Sequence, residues 1–515
     1  MDLLLVGFCF AAVIGLYFYN NPLKHGRWFM LRRFINWFPL GMTYAFLYMG
    51  RYNLNVSKTA LGSLMTKEDF GIIFGTGTIV YALSFFLNGP LVDRIGGKRG
   101  IIIAALGASF ANIVMGVLTY LALTGRMPMK LTVAYSIAYG LNMYFQSYGA
   151  VSIIKVKAYW FHVRERGVFG AIFGTLISFG VYFAFDWGQA IVNMTKASAS
   201  TSAGWLQSLL IRVFALEGHT VDATWAVFFL PAIILVFWAA LDAWLIRDTP
   251  EEANFPHFDT HDASSGEMHV ELSTRDLFKK VFGSKIMLLI AVVELTSGVL
   301  RNGIMQWYKI FAHEMNQPGA EIFNDHWGLW LCIFGIIGGF TGGLLSDKVF
   351  RSRRGPPAAI LAGLMFILTI VMALYLFNSP VTIAICALLI SMAVIGVHSL
   401  MSGTAAADFG GRKATATCSG IVDGFVYLGS SIQSFCIGFL TPKDHLVTAA
   451  SAAGGMSFDV HDLAGRSWLW WPMFLAPFAL LGMFLAIRIW HELPAATKRY
   501  LARVESKTQP ELAIE

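Results

Sequence analysis

Long apolar runs alternate with short polar interruptions along this chain. Runs near 3–19, 35–58, 70–92, 98–122, 131–156, 167–193, 222–246, 284–314, 325–346, 357–378, 380–407, 414–441 and 468–490 each approach the roughly 20 residues that a helix needs to cross a ~30 Å hydrocarbon core. The pattern predicts an all-α membrane protein with one leading helix followed by twelve more.

Composition supports a lipid-embedded chain. Of 515 residues, 56% are hydrophobic and 13% charged, where a soluble protein carries roughly a quarter charged. The mean hydropathy is +0.61. Fifty glycines suit close helix contact in lipid. The net charge of +7 matters less than where the charges fall. They are scattered over short loops with no basic stripe, which argues against a nucleic-acid partner. Cys9, Cys332, Cys386, Cys418 and Cys436 lie inside apolar runs without CxxC spacing or neighbouring histidines, as small core residues do. No P-loop, Ser/His/Asp grouping or metal-ligand spacing occurs, so nothing points to an enzyme, a metal or a cofactor.

The loop charges set an orientation. The leading run LLLVGFCFAAVIGLYFY lacks a basic region before it and a cleavage site after it, so it reads as an uncleaved helix. Lys24, Arg27, Arg32 and Arg33 follow it, which predicts an outside N-terminus. DRIGGKR (93–99), HVRERG (162–167), DKVFRSRR (347–354), GGRK (410–413) and KRYLARVESK (498–507) then fall on the cytosolic side. The acidic loop MNQPGAEIFNDH (315–326) and loops 194–221 and 442–467 fall outside. The expected organisation is an extra helix (1–30), a six-helix half (31–247), a cytosolic linker (248–283), a second six-helix half (284–492) and a cytosolic tail (493–515).

The halves repeat each other. GPLVDRIGGKR (89–99) and GLLSDKVFRSRR (343–354) share a glycine, an aspartate four residues on, and a basic cluster. Asp93 and Asp347 are 254 residues apart. Arg51 and Arg301, each in the first helix of its half, are 250 apart. Tyr44, Tyr48, Arg51 and Asn55 share one helical face, as do Glu294, Ser297 and Arg301. Arg51 has two readings. It lies ~27 Å along a helix from Arg33, so on an upright helix it could snorkel to the outer interface; on a tilted one it would lie deeper. Arg301 is flanked by apolar residues on both sides, where a charge costs ~3 kcal/mol and normally faces a polar cavity. Two matched guanidinium forks across one cavity suit a multi-oxygen dianion. Phosphate accepts from both at once; carboxylate or sulfate offers fewer oxygens or less charge.

GPLVDRIGGKR resembles the loop signature of the major facilitator superfamily. YMGRYN, RERG (164–167), IRDTPEE (246–252), LRNGIMQW (300–307), GGLLSDKVFRSRRG (342–355) and YLGSS (427–431) resemble the organophosphate:phosphate antiporters within it. The resemblance spans most of Tyr44 to Trp490 and implies a major facilitator fold. It also implies that Arg51 and Arg301 bind phosphate, with Tyr44, Tyr48, Tyr81 and Tyr427 lining the pocket and Lys155 supplying a further basic group. The chain departs from that family at Ile177, Tyr52 and Phe85, where the antiporters carry a histidine and two lysines. The more apolar pocket suits a larger or less hydrophilic phosphoester.

Other polar residues have open roles. Asp423, four residues before Tyr427, could pair with an arginine, bind a substrate hydroxyl or carry a proton. Glu294 could pair with Arg301 or lie nearer the interface. Asn142 and Gln146 read as helix–helix hydrogen-bonding groups, and His398 as a core histidine or a partial substitute for the missing one. Asp93, Arg94, Arg99, Asp347 and Lys348 read as a cytosolic gating latch as well as topology-setting charge. The expected activity is exchange of a phosphorylated organic anion for inorganic phosphate, by a monomer in a bacterial inner membrane. The alternatives are a proton-coupled carboxylate transporter, with Asp423 or Glu294 carrying the proton, and a transporter-like phosphoester sensor.

Overall fold

A computed structural model describes residues 2–19, 21–162, 165–197, 221–258, 260, 278–279, 282–316, 318–350, 353–402, 406–444 and 466–492. The leading helix α1 is Asp2–Tyr19. The first half follows as α2 (Arg27–Leu61), α3 (Lys67–Ile95), α4 (Gly97–Leu123), α5 (Leu131–Trp160) and α6 (Arg166–Tyr182). A π turn (Phe183–Trp187) joins α6 to α7 (Gly188–Thr195), and α8 (Ala226–Leu245) ends the half. In the second half, α9 (Lys285–Met305) runs almost directly into α10 (Trp307–Met315). A short α11 (Glu321–Asp325) precedes α12 (Trp327–Leu344), α13 (Gly355–Tyr375), α14 (Pro380–Leu400), α15 (Ala406–Leu440) and α16 (Trp470–Arg488). Among the described residues, the only strands are a two-residue antiparallel ladder, Lys196–Ala197 with Val221–Asp222.

Among the described residues, ten helices are long and apolar enough to cross a membrane, as expected of a multi-pass membrane protein. The long helices outside that set, α2 and α5, carry the polar residues of the interior: Arg51 on one meets Gln146 on the other. Local sequence fixes several helix starts. Thr66 and Asp69 form a reciprocal capping box at α3. Ser284 and Ser379 cap α9 and α14, with Pro380 opening the latter. In the second half α9 lies against α15 backbone to backbone. A Cβ at Gly298 would collide with the Val426 carbonyl, so glycine there lets the helix bearing Arg301 reach the helix bearing Tyr427.

The halves are tied at one end of the bundle, the end expected above to face outside and called the outer end. Lys58 pairs with Asp444 at 3.0 Å. Lys67 pairs with Glu314 at 2.5 Å and with Asp444 at 3.3 Å, and Glu68 pairs with Arg466. Asp186 of the π turn accepts from Gly328 N at 2.7 Å and Leu329 N at 2.9 Å, capping α12 across the interface. Ion pairs joining the halves between described residues all lie at this end. Glycine at position 71 allows α3 to touch the Ser434 carbonyl, and Thr78 shares a hydrogen bond with Ser431 at 2.8 Å.

At the opposite, inner end, Arg33 is 1% exposed and forks onto Glu165 at 2.9 and 3.0 Å. Its Nε donates to Tyr17 of α1 at 3.0 Å, and Tyr17 donates to the Met30 carbonyl at 2.9 Å. Phe10 stacks on Phe179 at 4.2 Å. The leading helix is thereby fastened to the first half through Met30, Arg33 and Phe179. Burial alone would push the Glu165 carboxyl up; hydrogen bonds from His25 and Arg33, with the Arg33 charge, outweigh it and hold it at about 2. Because the folded value is depressed, the pair stabilises the fold above the ordinary value of 4.5 and fades as pH falls toward about 2. Glu165→Gln is expected to lower the melting temperature in detergent by a few degrees at neutral pH. The gap to wild type should close as the melts are repeated from about pH 5 downward; a gap independent of pH would contradict this account.

Candidate functional site

Arg51 is fully buried, and its three donor positions are all engaged. Nε donates to Gln146 at 2.9 Å, Nη1 to Tyr427 at 2.5 Å and Nη2 to Tyr81 at 2.7 Å. The guanidinium also lies 4.4 Å from the Tyr81 ring centre and 4.8 Å from that of Tyr48, within cation–π range. The inward direction of these contacts removes the snorkelling alternative.

Arg301 is 7% exposed, and its Nη2 donates to the Tyr48 hydroxyl at 3.1 Å. Tyr48 is therefore shared: Arg301 holds its oxygen and Arg51 its ring. Tyr44 packs edge-on to Tyr48 at 5.4 Å, and Tyr81 edge-on to Tyr427 at 4.2 Å. The structure thus brings Arg51, Arg301, Tyr44, Tyr48, Tyr81 and Tyr427 together at the interface of the halves. Among the described residues, no carboxylate pairs with either arginine. Neutral phenol oxygens and ring faces hold them instead, and a phosphoryl oxygen is a stronger acceptor than a phenol.

A polar chain braces Arg51 from behind. Gln146 donates to Asn142 at 3.0 Å, and Asn142 to the Gly50 carbonyl at 2.9 Å. Asn112 donates to Asn142 at 3.3 Å, and Asn53 to Asn112 at 2.9 Å. The expected helix–helix role of Asn142 and Gln146 is present, but Gln146 also touches the arginine. Two departures from the antiporter pattern sit beside the site. Tyr52 donates to Asn302 across the halves at 3.4 Å, and Phe85 packs edge-on to Tyr81 at 4.6 Å.

Other predicted residues fall elsewhere. Lys155 pairs with Asp93 at 3.0 Å. It lies nine residues beyond Gln146 on α5, roughly 13 Å toward the inner end. In this structure it therefore sits with the inner-end charges, apart from the two arginines. Asp423 accepts from Ser402, and Glu294 pairs with His398 at 3.0 Å rather than with Arg301. Of the expected latch, Arg94, Arg99 and Lys348 are exposed, and the Asp347 side chain lies outside the described residues. Among the described residues, the ion pairs seen between the halves are the outer ones, from Lys58, Lys67, Glu68, Glu314, Asp444 and Arg466, with the Asp186 cap beside them. The sequence reading missed them, because pairs such as Lys58 and Asp444 are remote in the chain and follow no local pattern.

Among the described residues, the ten apolar spans together with α2 and α5 form two halves, and polar residues converging at their interface define a transporter fold. The chain belongs to the Major Facilitator Superfamily, whose family model matches residues 40–434. A glycerol-3-phosphate transporter of Bacillus subtilis is 24% identical over 387 residues, covering 73% of this chain and 79% of that protein. The membrane sensor protein UhpC of Escherichia coli is 24% identical over 401 residues, covering 76% and 82%. Among solved structures, a bacterial homologue of the human lysosomal transporter Spinster, inward-facing and unoccupied, superposes with TM-score 0.64 at 14% identity. It covers 90% of this chain and 98% of that one, a likeness of fold alone.

Gln146→Leu strips the partner from a buried guanidinium N–H and is expected to cost about 1–3 kcal/mol of stability, read from denaturation in detergent. Gln146→Glu should hold stability close to wild type while satisfying Arg51 with a permanent carboxylate. Calorimetry should then show at least about tenfold weaker phosphate binding; unchanged affinity would separate Arg51 from anion recognition.

Proposed function

We propose that this chain is a secondary transporter that exchanges a phosphorylated organic anion for inorganic phosphate by alternating access, working as a monomer. The observation that carries this reading is the buried Arg51–Tyr48–Arg301 arrangement, with no carboxylate among the described residues paired to either arginine. Two fixed positive charges at the seam of two moving bodies repel when the bodies close. A phosphoryl dianion bridging both forks cancels that repulsion, so closure is favoured when cargo is bound and opposed when it is not. This differential binding gives exchange rather than leak. The named relative that is a glycerol-3-phosphate transporter supports a phosphorylated ligand. The loop charges favour a bacterial inner membrane with the N-terminus outside and the C-terminus in the cytosol.

A second reading has its own support. The buried Glu294–His398 pair and Asp423, bonded to Ser402, are intramembrane groups able to carry a proton with a carboxylate cargo.

In reconstituted vesicles, labelled phosphate is expected to enter when the lumen holds phosphate and to stay near background when it does not. Equal uptake into both would rule out exchange, and uptake driven by a proton gradient without counter-anion would select the second reading. Phosphate binding without any flux would mark a sensor. Arg51→Lys is expected to lower exchange at least about tenfold, because an ammonium cannot reproduce the planar fork.

A further inference from the structure

Between the halves at the outer end lies a cavity of about 590 Å³. Its wall carries Lys58, Lys67, Lys443 and His313 together with Glu68, Glu314 and Asp444. Lys58 and Lys67 pair with Asp444 and Glu314, and Glu68 pairs with Arg466, and these ion pairs hold this end shut. Lys443 and His313 have no hydrogen-bond or ion-pair partner among the described residues. Two uncommitted basic side chains thus face the same space as two lysines engaged in closing it.

The cavity also stands in line with the buried arginines. Lys58 lies seven residues beyond Arg51 on α2, so Tyr44, Tyr48, Arg51, Asn55 and Lys58 form one stripe. Along it, Lys58 is ~10 Å from Arg51. Asn55 sits between them and bonds the Gln306 carbonyl of the second half at 3.1 Å.

We propose that this cavity is a first docking site for the phosphoryl group of an anion arriving from the outer side, and that docking there opens the gate. The inference rests on the phosphoryl-anion reading above. Lys443 and His313 take the phosphoryl group first. Its oxygens then compete with Asp444 and Glu314 for Lys58 and Lys67, as a dianion competes with monoanionic carboxylates. Once those lysines exchange partners, Glu68–Arg466 is the one ion pair still joining the halves at this end among the described residues; alone it no longer holds them, and they part above Arg51. The cargo is both the ligand of the vestibule and the key to it.

The test uses the full chain in vesicles of known sidedness, with inorganic phosphate as the probe. Lys443→Gln combined with His313→Gln is expected to raise the KM for phosphate at the outer face about tenfold and leave the KM at the inner face at its wild-type value. On a background with the native cysteines replaced, Asn55→Cys reports opening through its labelling by an impermeant maleimide from outside. Phosphate should speed that labelling several-fold, and the Lys443/His313 double variant should abolish the acceleration. Asp444→Asn, which removes the acceptor shared by Lys58 and Lys67, should label fast with or without phosphate. An outer KM equal to wild type, or labelling indifferent to phosphate in the parent, would overturn the docking site while leaving exchange intact. Absence of phosphate exchange in the wild-type chain would overturn the exchange reading and this inference with it.

Discussion

Two guanidinium groups buried at the meeting line of two helical halves, with no acid among the described residues paired to either, set the terms for the rest of this molecule. Such charges are costly away from water unless hydrogen bonds and dipoles surround them. The protein meets this with tyrosine oxygens, tyrosine faces and one glutamine. The requirement propagates outward. Gln146 must itself be held, so Asn142, Asn112 and Asn53 form a polar spine across α5, α4 and α2. Arg301 must approach Tyr48 and the helix of Tyr427, so α9 and α15 pack at glycine distance. All these groups are acceptors or aromatic faces rather than charges, and a charged ligand can outbid them.

Much of this was legible in the sequence, and the legible part shares a cause. Helices announce themselves through apolar length, and a duplicated half places matched residues at a matched offset, so Arg51 and Arg301 could be paired from the amino-acid order alone. Periodicity along one helix also gathered Tyr44, Tyr48 and Arg51 onto a single face. It could not say how far along the membrane normal a partner helix presents its residues. Lys155 therefore seemed to belong with the pocket when its register sets it against Asp93. Nor could it choose between partners on different helices: Glu294 meets His398 from α14, not Arg301 from its own face. The outer ties needed the fold itself, because they join residues hundreds of positions apart.

The distribution of ion pairs bears on how the halves move. At the inner end, Arg33–Glu165 and Lys155–Asp93 both lie within the first half and stiffen it as one body, together with the strapped leading helix. At the outer end the pairs cross between bodies, where they resist separation. Charges of one kind thus serve two mechanical ends, according to whether both partners travel together.

The Asp186 cap on α12 makes that resistance abrupt. A carboxylate that satisfies two backbone N–H groups at once, at 2.7 and 2.9 Å, acts over a very short range; a displacement of an ångström or two forfeits both bonds. It behaves as a detent rather than a spring, giving little restoring force once passed. A transporter with such a catch spends its time shut or open at that end and little time ajar, and half-open shapes, through which any bound solute would slip back, stay rare.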